Sequence, residues 1–441
     1  MKRLMAVLML VMPLTAHPQD EIQEAVQSFR MQNGLRVLLL EDHQHPMVHL
    51  QLRATWAPPG VREMPPASEI KNKLSTPITQ GPMALEPLAL RLLDRCAVGS
   101  RTRQGFNRAV EERGLRLRLS GAPDGPVWNL SGGSPEAELA FSLLADAVMR
   151  PIPQGGDLDT LRLNFINDLH EQGSRESARI AFLRQLERPG LALESITEKS
   201  LARIYLEDLQ RCIGATLRPN RAVLAISGDL TLSQARQMVQ LNFGAWNEGS
   251  GQPATPPPLL AARPSAFPPT IIPADQLETS LALPFRPADR KQRAAQNLLT
   301  LWLPRVLGPD RCRIHPGAAG WRSLVLTAEV PESTLRKELL ALKNSRLKAG
   351  DLEQPKVLWI AARRAMALHP QEQLSFAASE ALLGAEPTED EIQNVDLATF
   401  NETLGAWLDL DSARVLVFSG EASAKPDPNQ ISTPNRAARS R

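Results

Sequence analysis

The chain has 441 residues, with 50 Lys+Arg against 48 Asp+Glu, 43% hydrophobic residues, 37 Pro and 3 Cys. This composition suits a globular protein and excludes a disordered or collagen-like chain. The formal net charge of +2 comes from interspersed charges, so it gives no electrostatic case for nucleic acid or an anionic membrane as partner. Cys96, Cys212 and Cys312 are odd in number and far apart; a disulfide scaffold and a zinc knuckle are excluded, and whether any bridge forms stays open.

Residues 1–16 open with Met1-Lys2-Arg3 and continue almost wholly apolar, and a polar stretch follows at 17–20. A spanning helix needs about 20 apolar residues, so this segment reads as an export signal rather than an anchor. Stable membrane insertion is not expected, and in a bacterium the mature chain would be periplasmic or secreted. Leu14 stands where a small residue usually precedes the cut, which leaves the cleavage point open.

From 29 to 52 the sequence FRMQNGLRVLLLEDHQHPMVHLQL alternates in two runs, broken at Asn33-Gly34 and again at Pro46, and predicts two or three strands. The proline-bearing stretch 57–80 reads as a surface loop. Helical spacing predicts helices over 85–98 and 105–113, and strands follow over 115–131 with a turn at Pro123-Asp124-Gly125. Ser134-Pro135-Glu136 predicts a helix start with Ser134 as cap, and Pro151 ends that helix. Helices over 157–188 and 199–216, a buried strand over 221–227 and a helix over 232–243 complete a first α+β unit. Residues 249–269 are proline-rich, with three consecutive prolines, and read as an extended linker.

Beyond it a similar order returns. A strand at 278–285, a helix at 290–303, a strand at 321–330, helices through 335–383 and 388–407 and a closing strand at 413–419 are expected. RPNRAVLAISGDL at 218–230 and DSARVLVFSGEA at 411–422 both follow a helix with a buried strand and Ser-Gly-acid. Such an echo points to a duplicated α+β unit.

Four stretches in order now resemble the insulinase/pitrilysin family of zinc peptidases, in its mitochondrial-processing-peptidase-like bacterial branch. They are NGLRVLLLEDHQHPMV at 33–48, SPEAELAFSLLADAVMRP at 134–151, LEDLQRCIGATLRPNRAVLAISGDL at 206–230 with FGAW at 243–246, and ARVLVFSGE at 413–421. The resemblance implies two homologous α/β-sandwich units, antiparallel sheet with helices, arranged as a clamshell. On it the chain divides into a signal peptide 1–16, a first unit 23–248, the linker 249–269, a shortened second unit 270–422 and a disordered tail 423–441.

Catalysis in this family rests on H-x-x-E-H, two zinc-binding histidines on adjacent helical turns around a general base, with a third, acidic ligand from a later helix. Here those positions fall on Arg91, Asp94 and Arg95, and the later acid on Asp168, with Asn167 and Glu171 as shifted alternatives. A guanidinium is permanently protonated and has no lone pair to offer a metal. The resemblance therefore implies a non-catalytic member without a metal of its own, in which Arg91 and Arg95 neutralise Asp94 and Asp168; the alternative is a solvated arginine pair on the helix surface. It also implies a partner, an active paralogue that carries zinc, and a peptide or protein substrate. In two-chain members the non-catalytic chain contributes an Arg and a Tyr from its second unit. Tyr205 is the only tyrosine and lies in the first unit, and the segment 307–321 is short and lacks the family's strand. Arg311 and Arg313 remain there as candidate substrate or partner contacts.

Other chemistries have weaker patterns. His43, His45 and His49 share strand parity and could form a relocated metal site, though Pro46 interrupts them; His170 near Asp168 and Glu171 is a second such place. No G-x-S-x-G elbow is present. Cys96 beside Arg95 could be an activated thiol, or a buried structural one. The alternatives to an accessory subunit are a stand-alone peptide-binding scaffold and an enzyme with a relocated metal.

Overall fold

The computed structural model describes residues 26–56, 84–171, 173–187, 198–247, 270–317, 321–345, 347–383 and 387–419. The expected signal, the loop 57–80, the linker and the tail lie outside them.

The first unit runs β1 (Val26–Arg30), β2 (Arg36–Glu41), β3 (Met47–Ala54), α1 (Leu85–Arg95), β4 (Ala97–Val98), α2 (Arg103–Glu111), β5 (Arg116–Ala122) and β6 (Gly125–Gly133). It continues with α3 (Ala137–Met149), β7 (Pro151–Ile152), α4 (Gly155–Glu171), α5 (Gly173–Glu187), α6 (Glu198–Ala202), α7 (Leu206–Thr216), β8 (Ala222–Gly228) and α8 (Leu232–Phe243). The second unit runs β9 (Thr270–Pro273), β10 (Glu278–Phe285), α9 (Arg290–Leu307), β11 (Cys312–Pro316), β12 (Arg322–Ala328) and α10 (Glu332–Lys343). Then come α11 (Ala349–Ala367), α12 (Pro370–Leu383), α13 (Glu389–Gln393), α14 (Leu397–Trp407) and β13 (Arg414–Ser419).

The first sheet has the order β1-β2-β8-β3-β6-β5 and the second β11-β12-β10-β13-β9. Read backwards, the second sheet matches the first strand for strand from β2 onward. Each contains one parallel pair, β2 with β8 and β9 with β13, and antiparallel pairs elsewhere. The two Ser-Gly endings thus belong to topologically equivalent strands, β8 and β13, and the duplication is a property of the fold.

Each sheet buries one face under its own helices. In the first unit Val37, Leu39, Leu50, Leu224 and Ile226 pack against Leu88, Leu92, Phe141, Phe165 and Val239; the second unit repeats this around Leu281, Leu299, Leu324, Phe400 and Trp407. Strand parity sends the alternate residues to the opposite face, where the covering helix comes from the other unit. Leu38, Leu40, Val223 and Ala225 meet Leu374 and Ala378 of α12, while Ala282, Val325, Leu416 and Phe418 meet Phe182 and Leu186 of α5. This reciprocal exchange explains why β8 and β10 are buried at every residue and read as continuous apolar runs. Fully burying one Leu or Val contributes about 1.5–3 kcal/mol, so each exchanged helix stabilises the pairing of the units by several such increments.

Polar groups fix the same contact. Glu278 is 8% exposed and accepts from Arg175 Nη2 at 2.6 Å and from Arg179 Nη2 at 2.6 and 2.5 Å, both guanidiniums lying over the Phe418 ring. Burial pushes the Glu278 carboxyl up, but the hydrogen bonds from Arg179 and Arg175 outweigh it and hold it below its ordinary value. Arg414, 2% exposed, donates to the Gln185 carbonyl at 2.9 Å, and burial brings its pKa down to about 10. In the other direction, Arg53 donates to the Ser375 carbonyl of α12 at 3.0 Å.

Several local expectations are corrected. Ser134 is not a helix cap: a short turn occupies Ser134–Glu136 and its hydroxyl donates to Asp229 Oδ2 at 3.2 Å. The helix expected to stop before Pro304 continues to Leu307 and ends at Gly308, whose φ of 95° only glycine adopts without strain. The segment 307–321 does carry a strand, β11, which its prolines and glycines obscured; at the edge of the sheet, it pairs among the described residues with β12 alone.

Candidate functional site

α1 and α4 lie side by side because Leu88 and Leu92 on one and Leu158, Leu161 and Phe165 on the other share the first core. Arg91 and Asp168 border that apolar seam. Arg91 Nη1 sits 2.8 Å from Asp168 Oδ2, both side chains about two-fifths exposed, and the guanidinium carbon lies 4.4 Å from the Phe165 ring centroid. Phe165 and Asp168 are three apart on α4 and share a face, so one supplies a π-surface and the other a carboxylate to the same cation.

Asp94 and Arg95 do not join this pair. Asp94 accepts from Arg103 Nη2 at 3.2 Å, since the short turn after α1 brings the start of α2 back to it, and Arg95 is exposed with no ion-pair partner among the described residues. The expectation that the two arginines together neutralise Asp94 and Asp168 is corrected: only Arg91 does so, and only for Asp168. Asn167 is exposed, and His170 pairs with Glu198 at 3.1 Å rather than entering the site.

The residues present do not fit a zinc ion. Of the four motif positions, two carry guanidiniums that offer no lone pair, Asp168 is engaged by one of them, and Asp94 faces away toward Arg103. No hydrolytic step can be derived through a metal at this place. Arg184 of α5 adds a further positive charge: burial first, and then repulsion from Arg91, lower its pKa.

A second polar cluster lies at the far ends of β2 and β8. His43 Nδ1 is 2.8 Å from Asp229 Oδ1, its Nε2 3.3 Å from Glu41 Oε2, and Asp229 Oδ2 accepts from Ser134. The bonds to Asp229 and then Glu41 raise the His43 pKa, and the bond from His43 lowers that of Asp229. Here the serine donates to a carboxylate whose basicity His43 lowers further, and the histidine bonds Asp229 and Glu41 rather than the hydroxyl, so the array lacks the serine–histidine pair of an activated nucleophile. His45 turns to Asp42 at 3.3 Å and His49 to Gln371 Nε2 at 2.9 Å, so the three histidines go to three different partners. Among the described residues no group of three or more His, Cys, Asp or Glu is placed to hold a metal ion.

Arg311 donates to both Glu338 oxygens, at 3.3 and 2.9 Å. Arg313 is exposed on β11. Cys96 and Cys312 are buried free thiols; burial pushes the Cys96 thiol up and that of Cys312 up to about 12, the reverse of activation. The spacing of Phe165 and Asp168 could have disclosed the aromatic support for Arg91 from sequence, whereas Arg184 carried no local signal because α5 crosses to the other unit. No described helix is long and apolar enough to cross a membrane.

Residues 203–306 match the family model described as "Peptidase M16 inactive domain". A search of curated protein sequences found no match. Among solved structures, a protease from Helicobacter pylori superposes with a TM-score of 0.71 at 10% identity, over 89% of this chain and 99% of that one. The peptidase M16 inactive domain from Pseudomonas fluorescens gives 0.67 at 18% identity, over 91% and 100%. The periplasmic protease PqqL from Escherichia coli gives 0.64 at 14%, over 90% of this chain and 48% of that one, so the chain spans about half of PqqL. At these identities the superpositions establish the fold, and the family match lies within it, from α7 to α9. The chain thus has the two-unit α+β fold of M16-like peptidase structures, and its residues 203–306 match a family model described as the M16 inactive domain.

Proposed function

We propose that this chain is an exported, non-catalytic subunit that works beside an active M16 peptidase carrying the zinc motif, closing the chamber and holding extended substrate along a sheet edge. The observation that supports this reading is the Arg91–Asp168 pair on Phe165, a fixed cation at the positions where the resemblance expects the family's metal ligands. The chain needs no metal of its own in this role; the zinc belongs to the partner. Among the structural neighbours is a ferredoxin protease in complex with ferredoxin, and a protein or peptide substrate is proposed here by likeness. The N-terminal pattern of basic head and apolar stretch supports export.

Purification of the chain from its native source under mild conditions tests the reading. A paralogue with H-x-x-E-H should co-purify, and its peptidase activity should fall when this chain is removed. A monomer that leaves the paralogue's activity unchanged refutes the subunit role and favours a stand-alone peptide-binding scaffold. Stoichiometric zinc and peptide cleavage by the chain alone would refute both.

A further inference from the structure

β5 ends the first sheet: among the described residues it pairs with β6 alone. Its burial alternates. Leu117 and Leu119 pack on the core beneath, and Arg116, Arg118 and Ser120 stand exposed on the opposite face. Neighbouring arginines are engaged, Arg101 with Asp146 at 3.3 Å, Arg103 with Asp94 at 3.2 Å and Arg113 with Glu136 at 3.5 Å. Arg116 and Arg118 have no carboxylate partner among the described residues.

The face directly behind them is polar and partly open, and its nearest fixed charge along β3, Arg53, is turned to the Ser375 carbonyl of α12. In register, Arg118 lies beside Asn129 and then Gln51, and Arg116 beside Ser131 and then His49. Gln51 Nε2 donates to Asn129 at 2.8 Å, while its Oε1 is buried without a partner. Burial lowers the His49 pKa, so it adds little positive charge near neutrality. α12 covers β2 and β8 and reaches β3, and its Ser379 and Leu382 close on Val127 and Ala122 at one end of β6 and β5; toward the other end Asn129 and Ser131 are half-buried, and Arg116 and Arg118 stand exposed.

We propose that β5 takes an acidic extended segment of a partner protein, with Asp or Glu at alternate positions facing Arg116 and Arg118. The inference rests on the peptide-binding part of the function above and names the chemistry bound. A strand rises about 3.4 Å per residue and repeats its facing every second residue, so the two guanidiniums sit about 7 Å apart along the strand and an added strand presents acids i and i+2 at the same interval. Backbone hydrogen bonds from the open edge supply sequence-tolerant affinity, and the two arginines select by charge.

Fluorescence anisotropy with a labelled peptide alternating Glu and Thr, against its Lys-for-Glu counterpart, tests this on the full chain. Binding of the Glu peptide should weaken with salt and fall about 10-fold or more in Arg116→Glu/Arg118→Glu. The pair Arg116→Lys/Arg118→Lys should retain most of it, and Arg108→Glu on α2 should leave it unchanged. Melting curves establish that the variants fold. Equal binding of both peptides, unaffected by the charge reversal, overturns the charge selectivity while sparing peptide binding itself; no binding of either peptide overturns both.

Discussion

Replacing Glu278 by Gln removes a carboxylate that Arg175 and Arg179 share across the units. In the native protein it accepts four hydrogen bonds from Arg175 and Arg179 beside Phe418, and the amide would turn an NH2 toward guanidinium donors. Removing one member of a fully buried pair costs about 3–5 kcal/mol. Arg175 and Arg179 keep 38% and 37% of their side-chain exposure, so screening reduces the loss to about 2 kcal/mol. If α5 releases from the second sheet before global unfolding, its open population rises about 30-fold. Hydrogen exchange followed by mass spectrometry should then show faster exchange over 173–187 and over β13, with β3 and β6 unchanged. Acid should mimic the variant. The Glu278 pKa is depressed in the folded state, so its contribution is whole above the ordinary value of 4.5 and is lost as pH falls below that through the folded-state value. Exchange over 173–187 that is the same in wild type and variant, at neutral pH and in acid, refutes the coupling.

Arg91→Ala should lower stability by about 1 kcal/mol, from a partly exposed ion pair plus a cation–π contact, and Arg95→Ala by less than about 0.5 kcal/mol; urea unfolding monitored by Trp fluorescence distinguishes them, and equal effects would show that Arg91 has no special partner. His43 behaves with the opposite pH sense to Glu278. Its folded pKa is raised, so its contribution is complete below 6.5 and disappears as pH rises through the folded value. NMR titration of the His43 ring should give a pKa above 6.5 that returns toward that value in Asp229→Asn, whereas an unshifted wild-type titration contradicts the paired geometry.

Much of the fold was legible because periodicity reports local burial: the alternation of β2 and β3, the helical spacing around Leu88 and Leu92, and the run 278–285 each translate directly into an element. The segments misread share a physical cause. β11 and the last turn of α9 contain proline in positions that argue against regular structure, and tertiary packing overrides that local signal. The candidate site was partly legible for a similar reason. Arg91 and Asp168 could be set against one another from a motif pattern on two helices, but the choice of Arg103 by Asp94 depends on how the chain turns between α1 and α2. The exchange of α5 and α12 had no signature at all in the sequence, since a helix with two apolar faces says nothing about which sheet the second one meets.

That exchange has a consequence during synthesis. The outer apolar row Leu38, Leu40, Val223 and Ala225 is covered by α12, which is completed at Leu383, 383 minus 243 or 140 residues after α8 ends at Phe243. At the usual translation rate of 5–20 residues per second this corresponds to about 7–28 s, during which a nascent first sheet lacks its lid. Ribosome-bound chains of intermediate length therefore present a greasy strip that either a holdase or a second nascent copy can occupy, and a protein severed at the proline-rich stretch would carry that strip permanently.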